Sequence, residues 1–219
     1  MTSKAITVIQ REHRAIAAVV HCFEHVLNEI KAKTLEPEFA LFESVIDYIE
    51  NFSDRFHHPK ENDYLFKAVL ARDPSSVAII DELKMQHDLG ERKIADLRWK
   101  LEAFRESPRD KFAPFEVAAR EYIDFQRRHI GLEEQKVIPL ADRILTAEDW
   151  RPIEAAFSDN EDPIFGNRPR NHFDKLFSRI VMLAPQPHGL AERRVPKPPT
   201  KAIEDPKDYR AQIVNLHWI

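Results

Sequence analysis

Four long amphipathic segments, each carrying a histidine on its apolar face, limit this chain to very few folds. Apolar residues recur at intervals of three and four along every segment, which is the period of one buried face of an α-helix. Breaks marked by proline separate the segments at roughly residues 3–33, 37–71, 74–106 and 108–145. Long helices joined by short connections favour an up-down-up-down arrangement. We therefore predict an all-α fold built on a four-helix bundle.

The composition agrees with a helical protein and excludes several classes of partner. Only 4 glycines occur among 219 residues, which disfavours a turn-rich sheet protein. The formal net charge is −4 with acids and bases interspersed, so no large basic surface is available for nucleic acid. We find no signal-peptide pattern and no apolar run near the roughly 20 residues that cross a bilayer. The single cysteine, Cys22, cannot form an internal disulfide, and we predict a cytoplasmic protein.

The chain is predicted to divide into three parts. These are the bundle, a helical extension packed on it and a proline-rich tail, at residues 1–146, 147–184 and 185–219. A capping box from Thr146 to Asp149 is predicted to open the extension, and a last helix is expected at 171–183. The tail ends in an apolar stretch, 214–219, that would dock either on its own bundle or on a second copy. A homodimer through the tail is one of these two alternatives.

Each predicted bundle helix places one histidine on its inward face, and three of the helices add an acid four residues later. The histidines are His13, His57, His87 and His129, and the acids are Glu61, Glu91 and Glu133. At about 1.5 Å per residue, alternating helices bring all four histidines roughly 15–24 Å from one end of the bundle, so they can share a layer. Buried acids and imidazoles need a compensating charge, which a metal supplies. Six or seven ligands exceed the tetrahedral set of one zinc and favour two ions bridged by glutamates.

Some of these assignments have alternatives. A single inward histidine is also consistent with a hydrogen-bonded core residue, but four at one level favour metal. Glu91 either joins the ligands or faces solvent and pairs with neighbours on its helix. His58 lies about 100° around the helix from His57, so we predict that it supports a ligand or lies at the surface, with metal ligation as the remaining alternative.

Three further polar residues near the ligands are assigned from their position on the helices. Glu134 lies off the inward face and is predicted to be solvated. Tyr64 and Tyr122 are predicted to face inward, where each phenol either hydrogen-bonds a bound oxygen species or fills core volume, and packing is the expected role.

The pattern His13, His57-His-Pro-Lys-Glu61, His87 and His129-Ile-Gly-Leu-Glu133 resembles the hemerythrin-like, HHE cation-binding domains over roughly residues 3–145. The resemblance implies a four-helix bundle with a non-haem centre of two iron ions, bridged by carboxylates and by an oxo or hydroxo group. It also implies a small-molecule ligand, namely oxygen, peroxide or nitric oxide. The residues that take ligand roles by this resemblance are His13, His57, Glu61, His87, His129 and Glu133.

Two functions stay open at this point. The first is binding: the sensing or storage of iron, oxygen or nitric oxide. The alternative is a di-iron enzyme that decomposes peroxide or acts as an oxidase. Oxygen-carrying hemerythrins have a second histidine on the third helix where this sequence has Glu91, and this departure argues against simple oxygen carriage. An added carboxylate would favour the ferric state and more reactive chemistry.

Overall fold

The computed structural model describes residues 3–158, 173–192 and 194–196. The regular structure of these residues is helical, apart from an isolated bridge between Pro185 and Ala191. The predicted all-α bundle with short additional helices is therefore confirmed. The apolar ending of the tail, 214–219, lies outside the described residues. None of the described helices is both long enough and apolar enough to cross a membrane.

The first bundle helix, α1, spans Lys4–Lys31. The side chain of Ser3 caps its start by accepting a hydrogen bond from the backbone N–H of Ala5 at 3.2 Å. At the other end, Lys33 adopts a positive φ of 58°, a conformation that commonly ends helices. The helix buries a face that runs from Ala5 to Leu27, in agreement with the predicted inward stripe.

The second bundle helix occupies residues 39–72 and changes its winding several times. It comprises α2 (Phe39–Tyr48), a π-helical stretch (Ile49–His57), α3 (His58–Lys60), a π turn (Glu61–Leu65) and α4 (Phe66–Arg72). A π-helix closes i→i+5 hydrogen bonds and is rare, and it is found mostly at functional sites. The sequence pattern did not reveal these wider turns.

The third and fourth bundle helices follow short connections. A 3₁₀ turn (Pro74–Ser76) leads into α5 (Val77–Glu106), and α6 begins directly afterwards at Pro108–Leu132. A π turn (Glu133–Val137) and α7 (Ile138–Ile144) continue the line of α6. Prolines at the starts of these elements agree with the predicted breaks.

Two apolar clusters fill the bundle, one on each side of a polar layer. The larger cluster includes Phe23, Phe42, Phe104 and Phe115, and the smaller one includes Ile9, Phe66, Leu83 and Val137. Along the first and third helices the smaller cluster comes first in sequence, whereas along the second and fourth helices the larger cluster comes first. Neighbouring helices therefore run in opposite directions, and the inward histidines all lie between the two clusters.

Two shorter helices cover the bundle. Helix α8 (Ala147–Ser158) packs on α1 and closes the smaller cluster with Trp150, Ile153 and Phe157. The predicted capping box is present, because Thr146 Oγ1 accepts from the Asp149 N–H at 3.4 Å and Asp149 Oδ2 accepts from the Thr146 N–H at 2.8 Å. Helix α9 (Phe173–Leu183) packs on α2. The division into three parts at 146 and 184 stays a prediction.

Candidate metal centre

The polar layer contains four buried histidines, one from each bundle helix. His13 and His57 form one pair, with their Nε2 atoms 3.1 Å apart, and His87 and His129 form a second pair at 3.2 Å. Each of the four residues is at most 4% exposed. The structure therefore presents two pairs of imidazole nitrogens toward the bundle axis, as two separate halves of one site.

Two glutamates connect the halves. One oxygen of Glu61, Oε1, lies 3.5 Å from His13 Nε2 and 3.3 Å from His57 Nε2, while its Oε2 lies 3.6 Å from His87 Nε2. Glu133 approaches one histidine of the first pair and both histidines of the second. Its Oε2 is 3.2 Å from His13 Nε2, and its Oε1 is 3.8 Å from His87 Nε2 and 3.6 Å from His129 Nε2. Each carboxylate thus points one oxygen at each pair of histidines, as a carboxylate bridging two cations does.

The four oxygens of these glutamates are buried and accept no hydrogen bond from the residues that the structure describes. A buried carboxylate without donors is strongly unfavourable unless a positive charge compensates it. Two groups of ligand atoms lie close enough to hold an ion each, and Glu61 belongs to both. They are His13, His57, Glu61 and Glu133, and His58, Glu61, His87 and His129. The donor set of imidazoles and carboxylates fits metal cations such as iron.

Charge in the metal-free site is balanced by protons. Burial opposes ionisation here, but the carboxylates of Glu133, Glu134 and Glu61 raise the pKa of His13 well above its usual value. Burial likewise opposes the charge of His57, yet Glu61 and Glu12 raise its pKa to about 9. The pKa of Glu61 falls well below its usual value despite burial, because His57 and His13 lie beside it. A cation entering the site therefore displaces protons from the histidines.

A closed ring of hydrogen bonds orients the histidines, each of which is held through Nδ1 by a residue of the preceding helix. Glu12 of the first helix accepts from His57 at 2.7 Å, and Asn62 of the second accepts from His87 at 3.0 Å. In the same way, Gln86 of the third helix holds His129 at 3.0 Å and Glu134 of the fourth holds His13 at 2.8 Å. With Nδ1–H donating outward, every Nε2 faces the centre and offers its lone pair there once any proton on it is displaced.

These supporting residues were missed in the sequence, although a signal for them exists. Each one directly adjoins a ligand in the chain, so it lies about 100° away around the helix and reaches the neighbouring helix. Glu134, which the sequence predicted to be solvated, is partly buried and holds His13. That prediction was wrong because a residue next to the inward face of a helix can contact the neighbouring helix as well as solvent.

The π turns account for two further differences from the sequence prediction. The turns Glu61–Leu65 and Glu133–Val137 begin at the bridging glutamates themselves. One extra residue per turn moves Leu65 onto the buried face and leaves Tyr64, which was predicted to face inward, 42% exposed. Tyr122 is buried as expected and donates its hydroxyl hydrogen to Gln126 Oε1 at 3.3 Å.

His58 lies inside the site and not at the surface. It is 4% exposed and its ring stacks on His87, with centroids 4.0 Å apart and planes at 10°. Together with Glu61, His87 and His129 it forms the second group of candidate ligands. The wider turns of the π-helical stretch that ends at His57 change the angular position of His58 from the one it would have on an ideal α-helix.

Glu91, the remaining candidate ligand, is not brought to the cluster. The structure places it on the exposed surface of α5, where it lines a shallow cavity with Asp54 and Glu50. Of the seven residues predicted to bind metal, the structure brings together the other six, His13, His57, Glu61, His87, His129 and Glu133, within one buried layer.

Comparison with curated proteins and with solved structures found no match. The sequence profile of the hemerythrin HHE cation-binding domain matches residues 4–141, which contain all four bundle helices up to α7 and every residue of the layer. Because the match covers more than half of the chain, and the buried histidines and glutamates fall inside it, the protein belongs to the hemerythrin HHE cation-binding domain family.

Proposed function

We propose that the protein binds two iron ions in this layer and uses the pair to bind, sense or store iron, oxygen or a related small molecule such as nitric oxide. The observation that carries the proposal is the division of Glu61 and Glu133 between the two pairs of histidines. Two carboxylates placed between two imidazole pairs match a dinuclear site better than a single ion, because one ion would leave the far oxygens uncompensated.

The ligand chemistry favours iron with room for a small ligand. Sets of two histidines and a carboxylate with open positions are characteristic of non-haem ferrous sites. Each half of the layer supplies two imidazoles and carboxylate oxygens, with His58 added on the second half. When bound, such a pair of ions would supply redox chemistry toward oxygen species. The chain itself contributes the orientation of the ligands, through the hydrogen bonds to Nδ1, and a buried environment.

One feature that favoured the alternative function, a di-iron peroxidase or oxidase, was Glu91 as an additional carboxylate ligand. Since Glu91 is exposed and lies outside the cluster, the structure withdraws that support. We therefore favour binding or sensing over turnover.

Metal content combined with an optical titration tests the proposal. Protein reconstituted anaerobically should retain two iron ions per chain, and addition of oxygen should produce an absorption change that saturates with the iron. Binding of a single zinc ion in preference to iron would overturn it. To separate sensing from turnover, hydrogen peroxide is added to the iron-loaded protein while oxygen release is followed; sustained release would favour the enzyme.

A further inference from the structure

The metal centre is closed to solvent, so an ion needs a route into it. The candidate ligands in the two groups are between 1 and 4% exposed. Apolar clusters cover the layer from both ends of the bundle. A hydrated cation must therefore reach the layer through a gap between helices, where polar side chains can replace its water one by one.

A cavity of about 240 Å³ lies between the second and third bundle helices, beside the second half of the centre. The wall includes the exposed side chains of Glu91 and Arg55 and the buried side chain of Asp54. Glu50 also lines it, but Arg98 binds both Glu50 oxygens, at 3.0 and 2.8 Å. The acids that face the cavity without such a fixed cation are thus Asp54 and Glu91, with Arg55 opposite.

Asp54 connects this cavity to the centre. It is 6% exposed, and neither of its carboxylate oxygens accepts a hydrogen bond from the described residues. Its Oδ1 lies 3.5 Å from His58 Nδ1, and the two atoms form no hydrogen bond. A buried acid that lacks a donor is costly, and a passing cation would relieve that cost.

We propose that this cavity is the entrance through which a divalent cation reaches the centre, with Glu91 attracting the ion at the mouth and Asp54 passing it to His58. The proposal rests on the proposed function, since it requires a metal-binding layer behind His58. It gives Glu91 a role in uptake in place of the ligand role predicted from sequence. Carboxylate oxygens are suitable transient ligands because they bind ferrous and similar ions without the rigid geometry of a final site.

Uptake kinetics test the entrance separately from the final site. Metal-free full-length protein is mixed rapidly with Co²⁺, whose visible absorption changes when imidazole replaces water, and the rate and the final amplitude are recorded. We expect Asp54→Asn to slow loading about 10-fold and Glu91→Gln about 2- to 3-fold, as expected for the loss of local attraction for a cation. Glu91→Gln should keep the amplitude and equilibrium affinity of the wild type. Glu102→Gln, an exposed acid on the same helix, is the matched control and should load at the wild-type rate.

The outcomes separate the two proposals. Unchanged loading rates in both Asp54→Asn and Glu91→Gln, or equal slowing in Glu102→Gln, would overturn the entrance. A lower equilibrium affinity in Glu91→Gln would also overturn it, because Glu91 would then belong to the final site. Failure of the wild-type protein to bind Co²⁺ or Fe²⁺ would instead contradict the proposed function.

Discussion

The two halves of the candidate metal centre have similar candidate ligands but different groups behind them. Carboxylates hold the first pair of histidines, because Glu134 accepts from His13 and Glu12 accepts from His57. Neutral amides hold the second pair, because Asn62 accepts from His87 and Gln86 accepts from His129. The ring of supports that closes around the bundle is therefore charged on one side and uncharged on the other.

This difference should make the two metal positions unequal. A carboxylate behind an imidazole increases the basicity of the ligand, whereas an amide mainly fixes its orientation. The protonation of the metal-free site agrees: neighbouring carboxylates raise the pKa of His57 to about 9, while burial lowers the pKa of His129. We expect the first half to favour the more highly charged ion, and the second half, which adjoins His58 and the cavity, to exchange its ion more readily.

Removal of a shared ligand should have the largest effect, because it acts on both halves at once. In Glu133→Gln we expect retained iron to fall from two ions per chain to one or fewer, with affinity reduced at least ~100-fold, beyond the usual effect of a supporting residue. Metal analysis after desalting measures this. Glu121→Gln, an exposed acid on α6, should retain both ions. Loss of one ion with wild-type affinity for the other would show that Glu133 serves a single half.

The second-largest effect should be a difference between the two halves in how their metal affinity depends on pH. Below the raised pKa values of His13 and His57 these histidines are protonated in the metal-free protein, so the first ion must displace about two protons. Between pH 6.5 and about 9 its affinity should rise by up to ~100-fold per pH unit, and the dependence should level off above the pKa of His57. Calorimetry in buffers of different ionisation enthalpy counts the protons. Equal proton release for both ions would contradict the asymmetry.

Replacement of His58 should affect the second half only. In His58→Ala we expect the second ion to bind about 10- to 100-fold more weakly, because a ligand atom and the ring stacked on His87 are both lost. The affinity for the first ion should be unchanged. A titration that resolves the two binding events checks this, and equal weakening of both events would indicate a general structural effect.

A change in the charge of a group that holds a histidine should have a smaller effect, and it should alter the metal affinity of only one half. Glu12→Gln keeps the shape of the group that holds His57 but removes its charge, so we expect about 10-fold weaker binding of the first ion. The converse variant, Gln86→Glu, adds a charge behind His129 and should strengthen the second ion. Resolved titrations of both variants measure the effect. If the two substitutions shift the same binding event, the halves are not independent.

Much of the bundle and its polar layer can be predicted from the sequence because residues at intervals of three and four are buried up to each candidate ligand, even across the π-helical stretch Ile49–His57. Along the second helix the predicted inward residues are buried from Phe42 through Ile46, Ile49 and Ser53 to His57, and the i to i+4 spacing then places Glu61 correctly. The prediction fails directly afterwards, where the π turn moves Tyr64 outward and Leu65 inward. Pro59 and Pro139 lie close to the π segments, and since proline lacks an N–H, they are the local signal of a disturbed α-helical pattern.

The supporting ring could not be predicted because it depends on contacts between helices. Glu12, Asn62, Gln86 and Glu134 each adjoin a candidate ligand, but each holds a histidine of the next helix. Periodicity within one helix gives the direction of a side chain and not its partner. The same limit explains Glu91: its spacing from His87 equals that of the two bridging glutamates from their histidines, yet α5 stays regular there and turns it to solvent.

The smallest expected effect is at Glu91, where the prediction from sequence and the structure disagree most directly. In Glu91→Ala we expect the equilibrium affinities for both ions to stay within about twofold of the wild type, because the side chain is exposed and lies outside both groups of ligand atoms. His58→Ala, which removes a buried member of the second group of candidate ligands, is the matched comparison. Titrations of the two variants under identical conditions check this. A loss of affinity in Glu91→Ala as large as in His58→Ala would mean that α5 rotates when metal binds, since only such a rotation brings the Glu91 carboxylate to the layer.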